Sequence, residues 1–465
     1  MSRISFGMWA AMALRPSFAF RRFTALCVIL FLFALFFVSF ALGQTERLLH
    51  SFGANGDGVG DGDLVVSSLT PDGHGNLFGV TYYGGTYAAG TVFELSPPAQ
   101  GQTAWTETII HSFQPFVTTD GSFPTAGVTF DRSGNLYGTT GAGGTSHLGV
   151  VYELSPPAQS GDTWTEQIIY NFAYYDHGTA TTGTNPGGVA FVKGNLYVST
   201  KTGGPENEEG DPFDGNGNVL EIKPPAQAGG AWLVKQIFDF SGGSGGGGSG
   251  GAGPMPGGGA LIADSAGNLY GTAIGTSANS EPYVIVFELS PPSSGNEEWT
   301  ETVIGASQYG NSTSGSLVFD KSGNLYGTIY MPPYGYSGTV FKLLLPAFSG
   351  QAWTWLTLYT FDSSSPQNGW FPYAGVVLDQ AGNLYGATNS GGTSTACGND
   401  GCGTVFELSP TFFTPWTETV LYNFSGSPRD GDRPTYAPTL GGNGHIYGTA
   451  GGGAYSGGAA FEVVP

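Results

Sequence analysis

Two stretches of the chain alternate acidic side chains with glycine, a pattern that suits a metal ion. One runs Asp57-Gly-Val-Gly-Asp-Gly-Asp63, and the other extends from Glu206 to Asn218. Ca²⁺ prefers six to eight hard oxygen ligands. Neither stretch has EF-hand spacing, and acidic glycine-rich loops are commonly just solvated. Calcium is therefore the one cofactor that the sequence suggests, with these candidate ligands: Asp57, Asp61, Asp63, Glu206, Asp211 and Asp214.

Aromatic side chains form the second group of candidate functional residues. Their rings can stack on the apolar faces of a sugar while neighbouring carboxylates bond to its hydroxyls. The alternative is that these rings only pin long loops onto the body of the protein. The candidate binding residues are Tyr82, Tyr83, Tyr174, Tyr175, Asp176, His177, Tyr334, Tyr336 and Trp370.

Evidence for catalysis is sparse. Tyr174-Tyr-Asp-His177 contains an Asp-His pair that could act as orienter and base. A lone histidine in a loop rich in glycine and threonine is far more often exposed and idle. The chain has no His-Glu-x-x-His motif, no Cys-x-x-Cys pair and no phosphate-binding loop. No residue is predicted to be catalytic.

A repeated module must position all of these residues. The motif Gly-Asn-Leu-Tyr-Gly-Thr and its close variants recur at intervals of about sixty residues, which indicates a repeat architecture. In the second module, residues 126–130, 135–140, 150–154 and 164–172 form four predicted antiparallel strands. Radially stacked sheets of this kind make a β-propeller. The seven copies begin at Gly75, Gly134, Gly194, Gly267, Gly323, Gly382 and Gly444.

The two ends of the repeat region complement each other. The seventh copy stops after its third strand, at residues 459–463, whereas residues 45–52 match the fourth-strand segment 417–424 position by position. The segment at the start should therefore complete the last blade and close the ring, which hides the edges of an open stack. We predict an all-β fold: a seven-bladed propeller of four-stranded antiparallel blades over residues 44–465.

These motifs carry a family resemblance. Gly-Asn-Leu-Tyr-Gly-Thr, then Gly-Thr-Val-Phe-Glu-Leu-Ser-Pro, then Trp-Thr-Glu-Thr with an Asn-Phe or Ser-Phe ending resemble the GloVer tandem repeat of exported bacterial proteins. The resemblance covers residues 45–465 and implies a secreted or surface protein. It brings no established activity and no catalytic residues. The chain is more distantly similar to propellers of the NHL and streptogramin-lyase types.

Residues that recur in every module are best explained by the scaffold. The turn carboxylates should accept hydrogen bonds from the amides of their own turns. Acidic residues inside the third strands, such as Glu94 and Glu153, have no partner that the sequence reveals. The loops between second and third strands and those between blades emerge on one face and vary in length. Variable loops on a rigid scaffold concentrate binding residues, so we predict one acidic functional face.

The first 43 residues have the pattern of an export signal. Arginines precede an uncharged run over residues 23–42, which is either cleaved before Gln44 or kept as a membrane anchor. Without this segment the chain has 10 basic and 35 acidic residues, a net charge of −25, which disfavours nucleic-acid and anionic-membrane partners. In an exported protein, Cys397 and Cys402 are expected to form a small disulfide.

The leading functional hypothesis is an exported propeller that acts as a binding or interaction module. Its expected partner is an extracellular polysaccharide or another protein, its expected state is a monomer, and its expected location is secreted, periplasmic or on the cell surface. The rival hypothesis is a propeller lyase or hydrolase that cleaves an extracellular glycan. A structural protein of the cell envelope is the third.

Overall fold

The computed structural model describes most of the chain after the predicted export signal. Residues 45–465 form one compact unit. No helix among the described residues is long and apolar enough to cross a membrane. The described residues are 45–54, 60–159, 162–173, 183–202, 217–227, 229–240, 255–256, 260–276, 282–293, 298–307, 316–330, 337–348, 350–365, 367–412, 415–428 and 430–465.

The strands form seven antiparallel blades, as predicted. The chain begins with β1 (Thr45–Ser51), which belongs to blade 7. Blade 1 contains β2 (Gly62–Val65), β3 (Thr70–Pro71), β4 (Leu77–Gly84), β5 (Thr91–Ser96) and β6 (Thr106–Ser112). Blade 2 contains β7 (Gly121–Pro124), β8 (Thr129–Phe130), β9 (Leu136–Gly143), β10 (Val150–Ser155) and β11 (Thr165–Asn171). Blade 3 contains β12 (Thr184–Val192), β13 (Asn195–Thr202), β14 (Asn218–Lys223) and β15 (Leu233–Asp239).

The remaining blades repeat this order. Blade 4 contains β16 (Met255–Pro256), β17 (Ile262–Ala263), β18 (Leu269–Thr276), β19 (Pro282–Ser290) and β20 (Thr300–Ala306). Blade 5 contains β21 (Val318–Phe319), β22 (Leu325–Ile329), β23 (Thr339–Leu344) and β24 (Thr354–Thr360). Blade 6 contains β25 (Gly369–Trp370), β26 (Val377–Leu378), β27 (Leu384–Thr388), β28 (Ser390–Gly391), β29 (Thr404–Ser409) and β30 (Thr417–Asn423). Blade 7 contains β31 (Gly431–Asp432), β32 (Thr439–Leu440), β33 (Ile446–Gly452) and β34 (Ala459–Val464).

Pairing of β1 with β34 closes the ring. Thr45 lies opposite Val464, and Leu48 lies opposite Phe461. On the other side of the junction, the hydroxyl of Thr449 donates a hydrogen bond to the backbone carbonyl of Ser67 in blade 1, at 2.7 Å. The predicted closure by the segment after the export signal is therefore confirmed.

Packing in the core requires the second glycine of the repeated motif. Gly448 lies beside the ring of Phe461 on the neighbouring strand, and a Cβ at residue 448 would come within 2.4 Å of the Phe461 Cζ atom. Phe461 is 1% exposed, so its ring has no room to move away. Gly79 and Phe93 repeat the arrangement in blade 1. The motif glycine thus makes space for a buried aromatic ring in six blades, whereas in blade 3 Val198 lies opposite Leu220.

The turns opposite the variable loops contain the repeated acids. Asp131 accepts hydrogen bonds from the backbone amides of Ser133 and Asn135, at 2.7 and 2.9 Å, which confirms the predicted role of the turn carboxylates. The third-strand acids face the same turns. Glu221 accepts a hydrogen bond from the Tyr197 hydroxyl, at 2.9 Å. Each tyrosine of the motif therefore has a polar partner at its buried end.

We predict that Gly448→Ala destabilises the fold by about 1–3 kcal/mol, the usual effect of overpacking a filled core. The matched control is Gly442→Ala in the same blade, because a Cβ at Gly442 meets no atom within 4 Å. Urea unfolding followed by tryptophan fluorescence measures both variants. Equal unfolding midpoints for the two would contradict the packing role assigned to Gly448.

Candidate functional site

The face that bears the variable loops is called the loop face here. It contains the loops between second and third strands and the connections between blades. Tyr82 and Tyr83 lie near the end of β4 on this face, and Phe123 lies on β7 of the next blade. The ring centroids of Tyr82 and Phe123 are 5.2 Å apart and nearly parallel, and those of Tyr82 and Tyr83 are 4.7 Å apart. These three residues form the first platform, in which Tyr83 is 44% exposed.

A shared backbone feature places Phe123 at this position. One residue at the start of the first strand has a positive φ in five blades, although none of the five is glycine. Such a conformation costs about 1–2 kcal/mol for an ordinary residue and needs local compensation. The five residues are Leu64, Phe123, Asn185, Phe371 and Arg433, with φ between 46° and 62°.

The compensation is a hydrogen bond to the preceding blade. The amide of Phe123 donates to the carbonyl of Ala89 at 2.7 Å, and that of Phe371 donates to the carbonyl of Ser337 at 2.7 Å. The amides of Leu64 and Arg433 make equivalent bonds. The backbone of these positions is thus fixed while the side chain is free to differ. In the sequence, the signal for each of these positions is a glycine two residues earlier, at the start of the first strand.

A second platform repeats the aromatic arrangement across blades 5 and 6. The ring centroids of Tyr330 and Tyr373 are 4.4 Å apart, and those of Tyr330 and Phe371 are 5.1 Å apart. Sequence reasoning did not single out any of these three residues.

Trp370 lies in the core rather than on the loop face. It is 6% exposed and packs with Tyr326 and Phe406 between blades 5 and 6. The neighbouring Phe371 is partly buried: it packs against the same core cluster, and its ring lies 5.1 Å from that of Tyr330. The expectation that Trp370 offers a binding surface is corrected accordingly.

Most other predicted site residues lie outside the described residues. They are the candidate binding residues Tyr174, Tyr175, Asp176, His177, Tyr334 and Tyr336, and the candidate metal ligands Asp57, Glu206, Asp211 and Asp214. Cys397 and Cys402, by contrast, are described and form a disulfide with their Cα atoms 5.2 Å apart.

Asp61 faces the junction between blades 7 and 1. It is 5% exposed, and its Oδ2 atom accepts a hydrogen bond from the Ala54 amide at 2.8 Å. Its Oδ1 atom lies 3.5 Å from His50 Nε2, which in turn lies 3.6 Å from Glu107 Oε2. Asp63 is only partly buried and belongs to no cluster of three ligand groups within the described part of the chain.

The same junction group recurs between blades 1 and 2. His111 Nε2 lies 3.3 Å from Asp120 Oδ1 and 3.8 Å from Glu166 Oε2. At the junction of blades 6 and 7, tyrosine replaces histidine: the Tyr422 hydroxyl donates to Asp430 Oδ2 at 2.6 Å. The glutamate equivalent to Glu107 at that junction is Glu46.

A β-bulge explains how one strand supplies two junctions. Glu107 and His111 are four residues apart on β6, a spacing that would put both side chains on one side of a regular strand. The register shift between the partners of Val92 and Phe93 adds one residue to β6 between them. Glu107 therefore faces blade 7, whereas His111 faces blade 2.

The junction carboxyl groups have strongly perturbed pKa values. Burial and the nearby charge of Asp61 raise the pKa of Glu107 to about 8. Burial and Asp120 raise the pKa of Glu166 to about 9. Burial acts to raise the pKa of Asp61, but the neighbouring His50 and a hydrogen bond from the Ala54 amide outweigh it, and that pKa is lowered.

Two cavities lie away from both the platforms and the junction groups. One of about 530 Å³ is lined by the first strands of blades 3 and 4, over residues 189–193 and 260–265. The other, of about 330 Å³, is lined by Lys193, Lys223, Lys235 and Trp299 among others. Neither lining contains a histidine.

A family model, the Gloeobacter/Verrucomicrobia repeat, matches residues 34–213 and 213–461. The chain belongs to this family. The resemblance inferred from the repeated motifs is therefore confirmed, and in this member the repeats build a closed propeller. Among curated proteins, none matches the chain.

Solved structures with a related shape are distant. Trypanosoma rangeli sialidase in complex with the inhibitor DANA is 15% identical, with a TM-score of 0.40 over 79% of this chain and 57% of that one. The Hadza microbial sialidase Hz136 is 14% identical, with a TM-score of 0.43 over 81% and 73%. A Dyadobacter fermentans protein of unknown function is 13% identical, with a TM-score of 0.38 over 90% and 98%. This chain thus spans little more than half of the trypanosomal enzyme, and such likenesses carry no argument about chemistry.

The junction of blades 6 and 7 predicts a pH dependence of stability. Burial and the charge of Asp430 raise the pKa of Glu46 to about 7, from an ordinary value of 4.5. The folded chain therefore holds this proton more tightly than the unfolded chain, and stability falls as the pH rises from about 4.5 to about 7.

Glu46→Gln should abolish the part of the pH-dependent loss of stability that Glu46 causes. The variant should match the wild type at pH 4.5 and exceed its unfolding free energy by about 1 kcal/mol at pH 8, an amount reduced for partial exposure. Urea titrations at both pH values test this, with the exposed Asp162→Asn as control. A difference that does not change with pH would contradict the assignment.

Proposed function

We propose that the loop face binds an extracellular polysaccharide and that the first platform is its primary contact surface. The observation that carries this proposal is the layered group of Tyr82, Tyr83 and Phe123, which leaves Tyr83 44% exposed on the face that bears the variable loops. Solvent-exposed aromatic faces offer an apolar surface of the size of a sugar ring.

Polar groups next to the platform suit the hydroxyls of a sugar. Asp63 lies directly opposite Tyr83 in the pairing of β2 with β4, and it is partly exposed. A carboxylate beside a stacked ring accepts hydrogen bonds from hydroxyls while the ring covers the apolar face. Leu64, which follows Asp63, is 45% exposed and extends the apolar surface. This combination favours a neutral or basic glycan over an anionic one, because the chain is strongly acidic.

The second platform supports a polymer rather than a single sugar. Tyr330, Phe371 and Tyr373 form a comparable surface on blades 5 and 6. Phe123 and Phe371 occupy the same left-handed position at the start of their first strands. Two aromatic surfaces on one face would contact separate units of a long chain, and each contact would raise the effective concentration of the other.

The rival function is cleavage of such a polymer. Its support is the paired carboxyl groups with separated pKa values, which resemble the acid and base of a glycosidase. These pairs recur at more than one junction and lie between outer strands, however. A repeated and mostly buried pair fits a scaffold role better than a single catalytic centre. We therefore prefer binding.

Affinity electrophoresis tests the proposal, with the full-length protein run through gels that contain β-glucan, xylan or galactomannan. Tyr83→Ala should weaken the retardation by at least one of these polysaccharides about tenfold, which corresponds to about 1.4 kcal/mol of binding free energy. The control is Phe348→Ala, an exposed residue in the turn between β23 and β24.

Four outcomes separate the hypotheses. Loss of retardation in Tyr83→Ala alone supports the first platform as the contact surface. Equal retardation of the wild type and both variants would refute this assignment. If no polysaccharide retards the wild type, a protein partner is favoured instead. New reducing ends after incubation with the polysaccharide would favour the enzyme.

A further inference from the structure

The histidine junctions have the geometry of metal sites. The three facing atoms at the first junction are His50 Nε2, Asp61 Oδ1 and Glu107 Oε2, and the histidine lies 3.5 and 3.6 Å from the two oxygens. These distances are too long for the short hydrogen bonds expected between charged groups. They do match the spacing between ligands of a tetrahedral zinc ion, since bonds of 2.0–2.2 Å place neighbouring ligand atoms about 3.4 Å apart.

Buried atoms without partners point to a missing positive charge. Asp61 is 5% exposed, and its Oδ1 atom has no hydrogen-bond partner. Its other oxygen is held by the Ala54 amide, which aims Oδ1 into the cluster. His50 Nε2 is likewise buried without a partner. Unsatisfied polar atoms in such a place are costly, and an ion among them would satisfy several at once.

We propose that His50, Asp61 and Glu107 bind a first-row divalent metal ion, Zn²⁺ in the first instance, and that His111, Asp120 and Glu166 form a second site of the same kind.

The tyrosine junctions show how the fold behaves without an ion. Where the histidine is replaced, the phenol reaches a carboxylate directly: Tyr422 donates to Asp430 at 2.6 Å, and Tyr359 donates to Glu418 at 2.6 Å. The longer tyrosine side chain thus fills the gap that is left open at the first histidine junction, whereas at the second His111 lies within hydrogen-bond distance of Asp120, at 3.3 Å. The same blade contact therefore exists in two chemical forms, one bridged by a hydrogen bond and one suited to a cation.

The chemistry of the three ligand side chains determines which metal ion the site prefers. Imidazole together with carboxylates suits zinc and its neighbours, whereas calcium takes six to eight oxygens. The three ligands leave a fourth position for water, and the His50 side chain, 22% exposed, gives access from solvent. Backbone amides hold the carboxylates in place: Asp120 accepts hydrogen bonds from the amides of Gln114 and Gly121, at 2.8 and 2.6 Å. Such outer contacts commonly orient metal ligands.

The first site would reinforce the closure of the ring. His50 lies on β1, which completes blade 7, while Glu107 lies on β6 of blade 1 and Asp61 on the connection between these blades. An ion held by all three binds the folded ring and not the unfolded chain, so it raises stability with the logarithm of its concentration once that exceeds the Kd. Asp61, considered from sequence as a calcium ligand, would serve a different metal with different partners.

Equilibrium dialysis of the full-length chain against micromolar Zn²⁺, followed by elemental analysis, tests the proposal. We expect two ions in the wild type, one in His50→Tyr and none in the double variant His50→Tyr, His111→Tyr. These substitutions copy the tyrosine junctions, so the fold should be kept. Tyr422→His should add an ion, because it gives the third junction the same ligands. Co²⁺ in place of Zn²⁺ should show the visible absorption of tetrahedral coordination.

The outcomes are decisive in both directions. A count that follows the number of histidine junctions, together with a thermal midpoint that Zn²⁺ raises in the wild type but not in the double variant, supports the sites. Equal zinc content in the wild type and the double variant would overturn them. Binding of Ca²⁺ but not Zn²⁺ would also overturn them. So would the absence of any bound ion together with a loss of stability in both histidine variants, which would indicate that the three side chains share a proton instead.

Discussion

The structure depends on the pairing of β1 with β34. Each blade is apolar on both faces and buries them only against its two neighbours, so an unclosed ring would expose two blade faces and a strand edge. The strand opposite Phe461 removes both liabilities by joining the start of the propeller to its end. No covalent bond within the described residues secures this junction. Its strength rests on strand pairing, on buried side chains such as Phe52, and on the polar group around His50.

The recurring bulge in the outer strands gives the polar junctions their order. Because it changes which side of the strand a residue faces, the outer strands β1, β6, β11 and β30 each send a glutamate to one neighbour and a histidine or tyrosine to the other. The carboxyl groups with the most perturbed pKa values are accordingly part of the scaffold. Perturbed pKa values often mark catalytic sites, but repeated structural networks perturb them as well. Repetition distinguishes the two cases here.

On the loop face, the backbone of one residue in the first strand is fixed while its side chain differs between blades. A hydrogen bond between neighbouring blades holds one residue of the first strand in a left-handed conformation, whatever its side chain. Leucine, phenylalanine, asparagine and arginine all occupy this position. A scaffold of this kind can vary the chemistry of its loop face without altering the packing of its blades, which is how rigid folds commonly support different ligands.

The sequence by itself determined the number of blades, the order of strands and the partner of the first strand. These features follow from a repeated pattern of apolar residues and turns, which is local information. It also supplied Tyr82 and Tyr83, but it could not distinguish the fully buried Trp370 from the partly buried Phe371, because both are apolar and adjacent.

Only the tertiary structure brought Glu107 to His50 and sent His111 to the next blade. Spacing along a strand predicts sides only while the pleat is regular, and the bulge that breaks it arises from pairing with the third strand. The junction groups combine residues from two blades and a connection. Their meeting is therefore a property of the closed ring rather than of any one repeat.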